Sequence, residues 1–284
     1  MAALDRLNRS LSLFGISFAP KGGVANRCFG GRRPIRRLEV YMVRCVRLAF
    51  LALCGALSCA QLAAADELST DANIITGLDV SSSINAQETM LQIDGMAQAI
   101  RAPEILAAIQ HGRYGRIGFA VFVWADGDYP ELVSWRMIGT PEDAEAASQE
   151  ISSRLQSLLE NTSRSVGTLT NLSGAIEHAT QMLQQAPFAS NRSIVNIIGN
   201  GEDNVGEDPQ RARAELLARG ATINGVVVGG DPAVLNYYRQ QVIGGRTAFV
   251  LSADKPETLV QVFALKFVSE IALNIRPDYR PDRL

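Results

Sequence analysis

Ile74-Ile75-Thr76-Gly77-Leu78-Asp79-Val80-Ser81-Ser82-Ser83 decides the fold and the candidate site together. Its first half is an apolar, β-branched run of the kind found in a strand buried on both faces. The run ends in Asp79, and Ser81 and Ser83 follow at a spacing of two, so one loop receives a carboxylate and two hydroxyls. All three are hard oxygen donors that suit a small divalent cation such as Mg²⁺. A capping turn is the competing reading, because Asp and Ser also cap helices and a helical pattern begins at Ala86.

Working outward, apolar strands alternate with helical patterns. Met90, Ile93, Met96, Ala97 and Ile100 recur at helical spacing within 86–109, with an interruption at Pro103. Gly118–Trp124 reads as a second buried strand and Leu132–Ile138 as a half-exposed one. Thr140 and Pro141 open a helix over 141–159 as N-cap and first helical residue. Further helices are expected over 172–183, 208–219 (closed by Gly220), 232–241 and 255–271. Strands are expected over 193–198, 221–228 and 248–251. Continuous apolar strands between helices of this length predict an α/β fold: a doubly wound, mostly parallel sheet covered on both faces. In such folds ligands lie beyond the carboxyl ends of the strands, where Asp79, Ser81 and Ser83 fall.

Two other segments should reach the same edge. Gly167-Thr168-Leu169-Thr170-Asn171-Leu172-Ser173-Gly174-Ala175 is a loop entering a helix, and Ile197-Ile198-Gly199-Asn200-Gly201-Glu202-Asp203 is a strand ending in a polar turn. Together the three segments, within residues 72–272, resemble the von Willebrand factor A-type (vWA) domain and its metal-ion-dependent adhesion site. The family pattern is Asp-x-Ser-x-Ser after the first strand, a Thr five residues before an Ala, and an Asp-Gly after a central strand. Asp79, Ser81 and Ser83 match the first element, and Thr170 with Ala175 the second. In the third, Asn200 stands where the family has Asp, and Gly201 follows as expected. Asn224–Val228 and the stretches at Tyr237-Tyr238 and Val242–Gly245 are similar to a bacterial subfamily of exported A-type domains of unknown function.

The resemblance implies a metal site of Asp79, Ser81, Ser83, Thr170 and Asn200, filled by Mg²⁺ or alternatively by Mn²⁺ or Ca²⁺. Ser81 and Ser83 would ligate through their hydroxyls, and Thr170 directly or through water. Asp79 would accept hydrogen bonds from water on the ion, and a partner's carboxylate would complete the shell. With one protein carboxylate instead of two, the formal charge of the loaded site stays near +1. Asn200 can orient a water but supplies no charge. This predicts weaker metal affinity and a stronger pull on an external acid. Glu202 or Asp203, on the same turn, are candidates to supply the missing charge; loss of metal binding is the opposite possibility.

The first 65 residues read differently. Arg32, Arg33, Arg36 and Arg37 mark a stretch (1–41) with little apolar periodicity, taken as an overextended start. Met42 opens a basic region, an apolar Leu- and Ala-rich stretch and the exit Ala63-Ala64-Ala65, the pattern of a signal peptide over 42–65. The apolar part is short for a membrane span, although an uncleaved anchor is the alternative. The domain is expected over 66–274 with a flexible tail over 275–284, in a periplasmic or secreted protein with no membrane insertion after cleavage.

Charge supports the cut. Ten of the 27 Lys and Arg precede Asp66, with only Asp5 and Glu39 as acids, so the remainder has 17 basic and 27 acidic side chains, a net of −10. Such a surface disfavours nucleic acid and anionic membranes as partners. Cys28, Cys45, Cys54 and Cys59 all precede Asp66, which leaves the remainder without thiolate chemistry. His111 and His178, the only histidines, have no Gly-x-Ser-x-Gly elbow to serve. Asp126-Gly127-Asp128-Tyr129-Pro130-Glu131 reads as a solvated turn rather than a calcium loop, since it lacks the length and the terminal bidentate Glu. The expected function is a non-enzymatic binding module that engages an exposed Asp or Glu of a protein partner through the metal. The alternatives are a metal-assisted hydrolase and a metal-free interaction scaffold with a degenerate site.

Overall fold

The structure, a computed structural model, describes residues 68–205 and 208–272. The expected start (1–41), signal segment (42–65) and tail (275–284), and all four cysteines, lie outside the described residues. Six strands form one sheet: β1 (Asn73–Asp79), β2 (Ile117–Trp124), β3 (Glu131–Ile138), β4 (Ser193–Gly199), β5 (Thr222–Val228) and β6 (Val250–Ala253). Their order is β3-β2-β1-β4-β5-β6, with β3 antiparallel at one edge and the other five parallel. The order reverses between β1 and β4, which is where an open α/β sheet forms a crevice beyond its carboxyl ends.

Alternation along each strand builds two apolar layers. Ile74 and Leu78 of β1, Phe119, Val121 and Val123 of β2, and Ile194 and Ile198 of β4 face one way. Over them pack α1 (Ala86–Ala99), α2 (Pro103–Gln110), α3 (Pro141–Ser165) and α7 (Leu259–Ala272). Ile75, Ala120, Phe122, Val195 and Ile197 face the other way, beneath α4 (Leu172–Gln184), α5 (Pro209–Ala218) and α6 (Pro232–Tyr237). Each fully buried side chain of this size contributes about 1.5–3 kcal/mol.

Several elements differ in detail from the sequence expectation: the helix expected over 141–159 runs on to Ser165, and the strand expected over 248–251 is Val250–Ala253. The 86–109 pattern is two helices, because Pro103 lacks an N–H and sits at the start of α2. The segment after Tyr237 leaves the α-helix for a π turn, Tyr238–Val242. The closing helix is preceded by a 3₁₀ turn, Pro256–Thr258, and begins at Leu259. Among the described residues no helix is long and apolar enough to cross a membrane.

One polar row crosses the layer beneath α7. Thr76, Asn196 and Asn224 are register partners on β1, β4 and β5. Lys266 and Glu270 of α7 close over them, each buried. Lys266 Nζ donates to Glu270 Oε1 at 2.5 Å and Asn224 Nδ2 donates to the same oxygen at 2.6 Å. Asn196 Nδ2 donates to Glu270 Oε2 and to Thr76 Oγ1, both at 3.3 Å, and Arg192 Nη2 donates to the Glu270 backbone oxygen at 2.7 Å.

Candidate metal centre

Because the strands are parallel, the helices that follow them start at the same edge of the sheet. Short polar side chains cap them there: Asn85 on α1, Asn171 on α4, Asp208 on α5 and Asp231 on α6. Each cap satisfies N–H groups that a helix leaves unpaired, contributing about 1 kcal/mol. Capping therefore accounts for much of the Asn and Asp at this edge, and the candidate site has to be separated from it by geometry.

The loops after β1, before α4 and after β4 bring the five expected residues together. Ser81 Oγ lies 3.0 Å from Ser83 Oγ, and Thr170 Oγ1 is 3.4 Å from Ser81 Oγ. Ser83 Oγ donates to Asn200 Oδ1 at 2.7 Å, and Asn200 Nδ2 donates back to the Ser83 backbone oxygen at 3.1 Å. Asp79 accepts the Ser81 N–H at 2.8 Å through Oδ1. Asp79, Ser81 and Thr170 are buried and Ser83 is exposed, so the cluster opens to solvent on the Ser83 side.

This donor set fits a small hard cation. Adjacent ligands of an octahedral Mg²⁺ stand about 3.0 Å apart, since each lies about 2.1 Å from the ion. The serine hydroxyls already have that spacing and Thr170 is within half an ångström of it. Asp79 Oδ2 is buried and has no hydrogen-bond partner within the protein. Burial raises the Asp79 pKa to about 6, and the lowering effect of the Ser81 hydrogen bond and of the nearby Asn200 N–H does not offset it. A carboxylate so short of partners favours a nearby cation. Among the described residues no group of three His, Cys, Asp or Glu could hold a metal, so a metal centre here has to be built on hydroxyls.

Residues outside the expected five hold the loops in place. Asp126 Oδ1 accepts the N–H groups of Thr168 at 2.6 Å and Leu169 at 2.8 Å, which keeps its pKa below the usual carboxylate range. The solvated turn expected at Asp126 is thus a brace for the Thr170 loop. Gly167 makes that approach possible: its φ is +93°, and a Cβ there would collide with Asp126 Oδ1. Asn204 accepts the Thr170 N–H through Oδ1 at 2.7 Å, and its own N–H donates to the Thr170 backbone oxygen at 3.0 Å. Ser82 N donates to the Thr168 oxygen at 2.9 Å, so the three loops are tied to one another.

Asp203 does not supply the charge that Asn200 lacks. Its Oδ2 accepts Leu172 N at 2.8 Å and Ser173 N at 3.4 Å, and its Oδ1 accepts Val205 N at 3.2 Å, which commits it to the start of α4. Glu202 is exposed on the same turn. Neither histidine joins the cluster. His111 hydrogen-bonds the Ala107 oxygen through Nδ1 at 2.6 Å, and His178 stacks on Tyr129 with centroids 4.9 Å apart. Trp135 packs away from the cluster, donating through Nε1 to the Met182 oxygen at 3.0 Å.

Solved structures share this architecture. One is proximal thread matrix protein 1 of the mussel byssus with a zinc-occupied MIDAS motif: 22% identity over 72% of this chain and 48% of the other, TM-score 0.52. Another is a von Willebrand factor type A protein of Catenulispora acidiphila: 16% identity over 72% of this chain and 43% of the other, TM-score 0.51. The chain thus spans just under half the length of each. At such identities the likeness is one of fold, and that fold is vWA-like. No curated protein is similar enough to match the chain. A family profile, described as protein of unknown function (DUF1194), matches residues 69–275, nearly all of the described α/β unit, and to that family the chain belongs.

Proposed function

We propose that this protein is an exported, non-enzymatic binding module that captures an exposed Asp or Glu of a protein partner through a divalent cation, Mg²⁺ before Mn²⁺ or Ca²⁺. The observation that carries the reading is the spacing of the Ser81, Ser83 and Thr170 hydroxyls beside a buried carboxylate with one unpartnered oxygen. When bound, the cation supplies an electrophilic centre with a position for an external carboxylate. Ser81 and Ser83 hold it through neutral oxygens, Thr170 closes the third side, and Asp79 supplies the one negative charge. Asn200 orients Ser83 through its amide oxygen. The zinc-occupied MIDAS of the byssus protein supports the donor type. Export to the periplasm or beyond the cell rests on the 42–65 segment.

Immobilised protein incubated with periplasmic extract should retain a partner in magnesium and release it into chelator, and Ser83→Ala should retain none. Equal retention in chelator would replace this reading with a metal-free scaffold. Calorimetry tests the charge argument. Asn200→Asp puts a second carboxylate within reach of Ser83 and should tighten Mg²⁺ binding by at least about tenfold, as changes beside a metal commonly do. Unchanged affinity would remove Asn200 from the site.

A further inference from the structure

Behind the hydroxyl cluster, on the side of the sheet, three buried side chains meet with polar atoms that have no partner within the protein: Asp79 Oδ2, the Trp124 indole Nε1 and the Tyr238 hydroxyl. All three residues are fully buried. They come from separate elements, the last residues of β1 and β2 and the first residue of the π turn. Asp79 and Trp124 are register partners, which sets them side by side.

Gly199, the last residue of β4, is where the three side chains come together. A Cβ on Gly199 would lie 2.6 Å from the Tyr238 hydroxyl oxygen, 2.9 Å from Asp79 Oδ2 and 3.2 Å from Trp124 Cζ2. The three groups therefore converge on Gly199, and they can come so close because residue 199 carries no side chain. Their chemistry is complementary. The Tyr238 phenol is held in its protonated form, by burial first and by the Asp79 charge second, so it donates. The indole N–H can only donate, and the carboxylate oxygen can only accept. Buried polar atoms in folded proteins are nearly always satisfied, often by one internal water with two to four partners. Single π turns such as the one that carries Tyr238 recur at functional sites.

We propose that Tyr238 and Trp124 are joined to Asp79 by one trapped water, and that this arrangement makes Tyr238 a positioning residue for the metal loop. The water accepts from Tyr238 and Trp124 and donates to Asp79 Oδ2, fixing the carboxylate plane that Oδ1 shares with Ser81. The role at the metal rests on the reading of the site given above; the water itself does not.

Two measurements separate these parts. A high-resolution crystal structure of the metal-free protein should show a water within about 2.6–3.2 Å of all three atoms. Density without it overturns the proposal, whatever the metal does. Tyr238→Phe removes the hydroxyl and keeps the ring, and calorimetry with Mg²⁺ should show affinity lower by about tenfold or more. The metal-free melting temperature should barely move. A purely structural role would give the opposite, a shifted melting temperature with unchanged affinity, and would overturn the positioning role. In a Trp135→Phe background Trp124 is the sole indole, and its emission should change as Mg²⁺ binds. A wild-type protein that binds no Mg²⁺ at all would sink the metal reading instead, and the crystallographic water would then decide this proposal alone.

Discussion

Lys266→Met is expected to destabilise the protein by about 3–5 kcal/mol, the range found when one member of a buried ion pair is removed. Both Lys266 and Glu270 are 1% exposed, and burial alone already pulls the Lys266 pKa down. Without the ammonium, Glu270 keeps two amide donors, from Asn224 and Asn196, but loses its direct charge partner, leaving only the Arg192 guanidinium that sits on its backbone oxygen. Adding Glu270→Gln should restore most of the loss, because the glutamine oxygen still accepts from Asn224 and the unpaired charge is gone. Urea unfolding of the single and double variants measures both. A single variant within about 1 kcal/mol of wild type would mean that water reaches Glu270 and that the pair is not dry.

The second large effect is a reversal at Asp79. Burial raises its pKa from 3.8 to about 6, so the folded protein keeps a proton that the unfolded chain has already released. Stability from this group is therefore full below pH 3.8, falls as the pH rises, and is lost above about 6. The loss is about 3 kcal/mol, at about 1.4 kcal/mol for each pH unit. Asp79→Asn removes the ionisation and keeps the oxygen that Ser81 N needs. In chelator at pH 8 the variant should melt above wild type. In magnesium the order should reverse, because only the wild type gains from the ion. A variant that melts below wild type in chelator, or that responds equally to magnesium, contradicts the account of Asp79 as a charge waiting for a cation.

Much of this was legible in the chain. Ile74–Asp79 read as a buried strand because its apolar run is continuous, and Ser81, Ser83, Thr170 and Asn200 fell at strand and helix boundaries that the fold brings to one edge. Asp126, Asp203 and Asn204 were not legible in their actual roles. Apart from the local bond to Val205, their carboxylate and amide oxygens serve backbone N–H groups 30–43 residues away, a pairing with no local period. The π turn is indistinguishable from helix in the sequence, because its side chains carry no signal that separates one from the other. The burial of Lys266 and Glu270 has no signal in the sequence, because an acid and a base four apart on an amphipathic helix usually lie on its wet face. Here they are on the dry face, because β4 and β5 present Asn196 and Asn224 to them.

In the proposed binding role, the ties among the three loops bear on how quickly and how faithfully a guest is received. Ser82 to Thr168, Asn204 to Thr170 and Asp126 to Thr168 and Leu169 hold the cradle in its working shape before any visitor arrives. Little freedom remains to be surrendered on docking, so the entropy that a floppy receptor would lose is kept as grip. A seat that is one acid short can still hold firmly if it never has to be assembled.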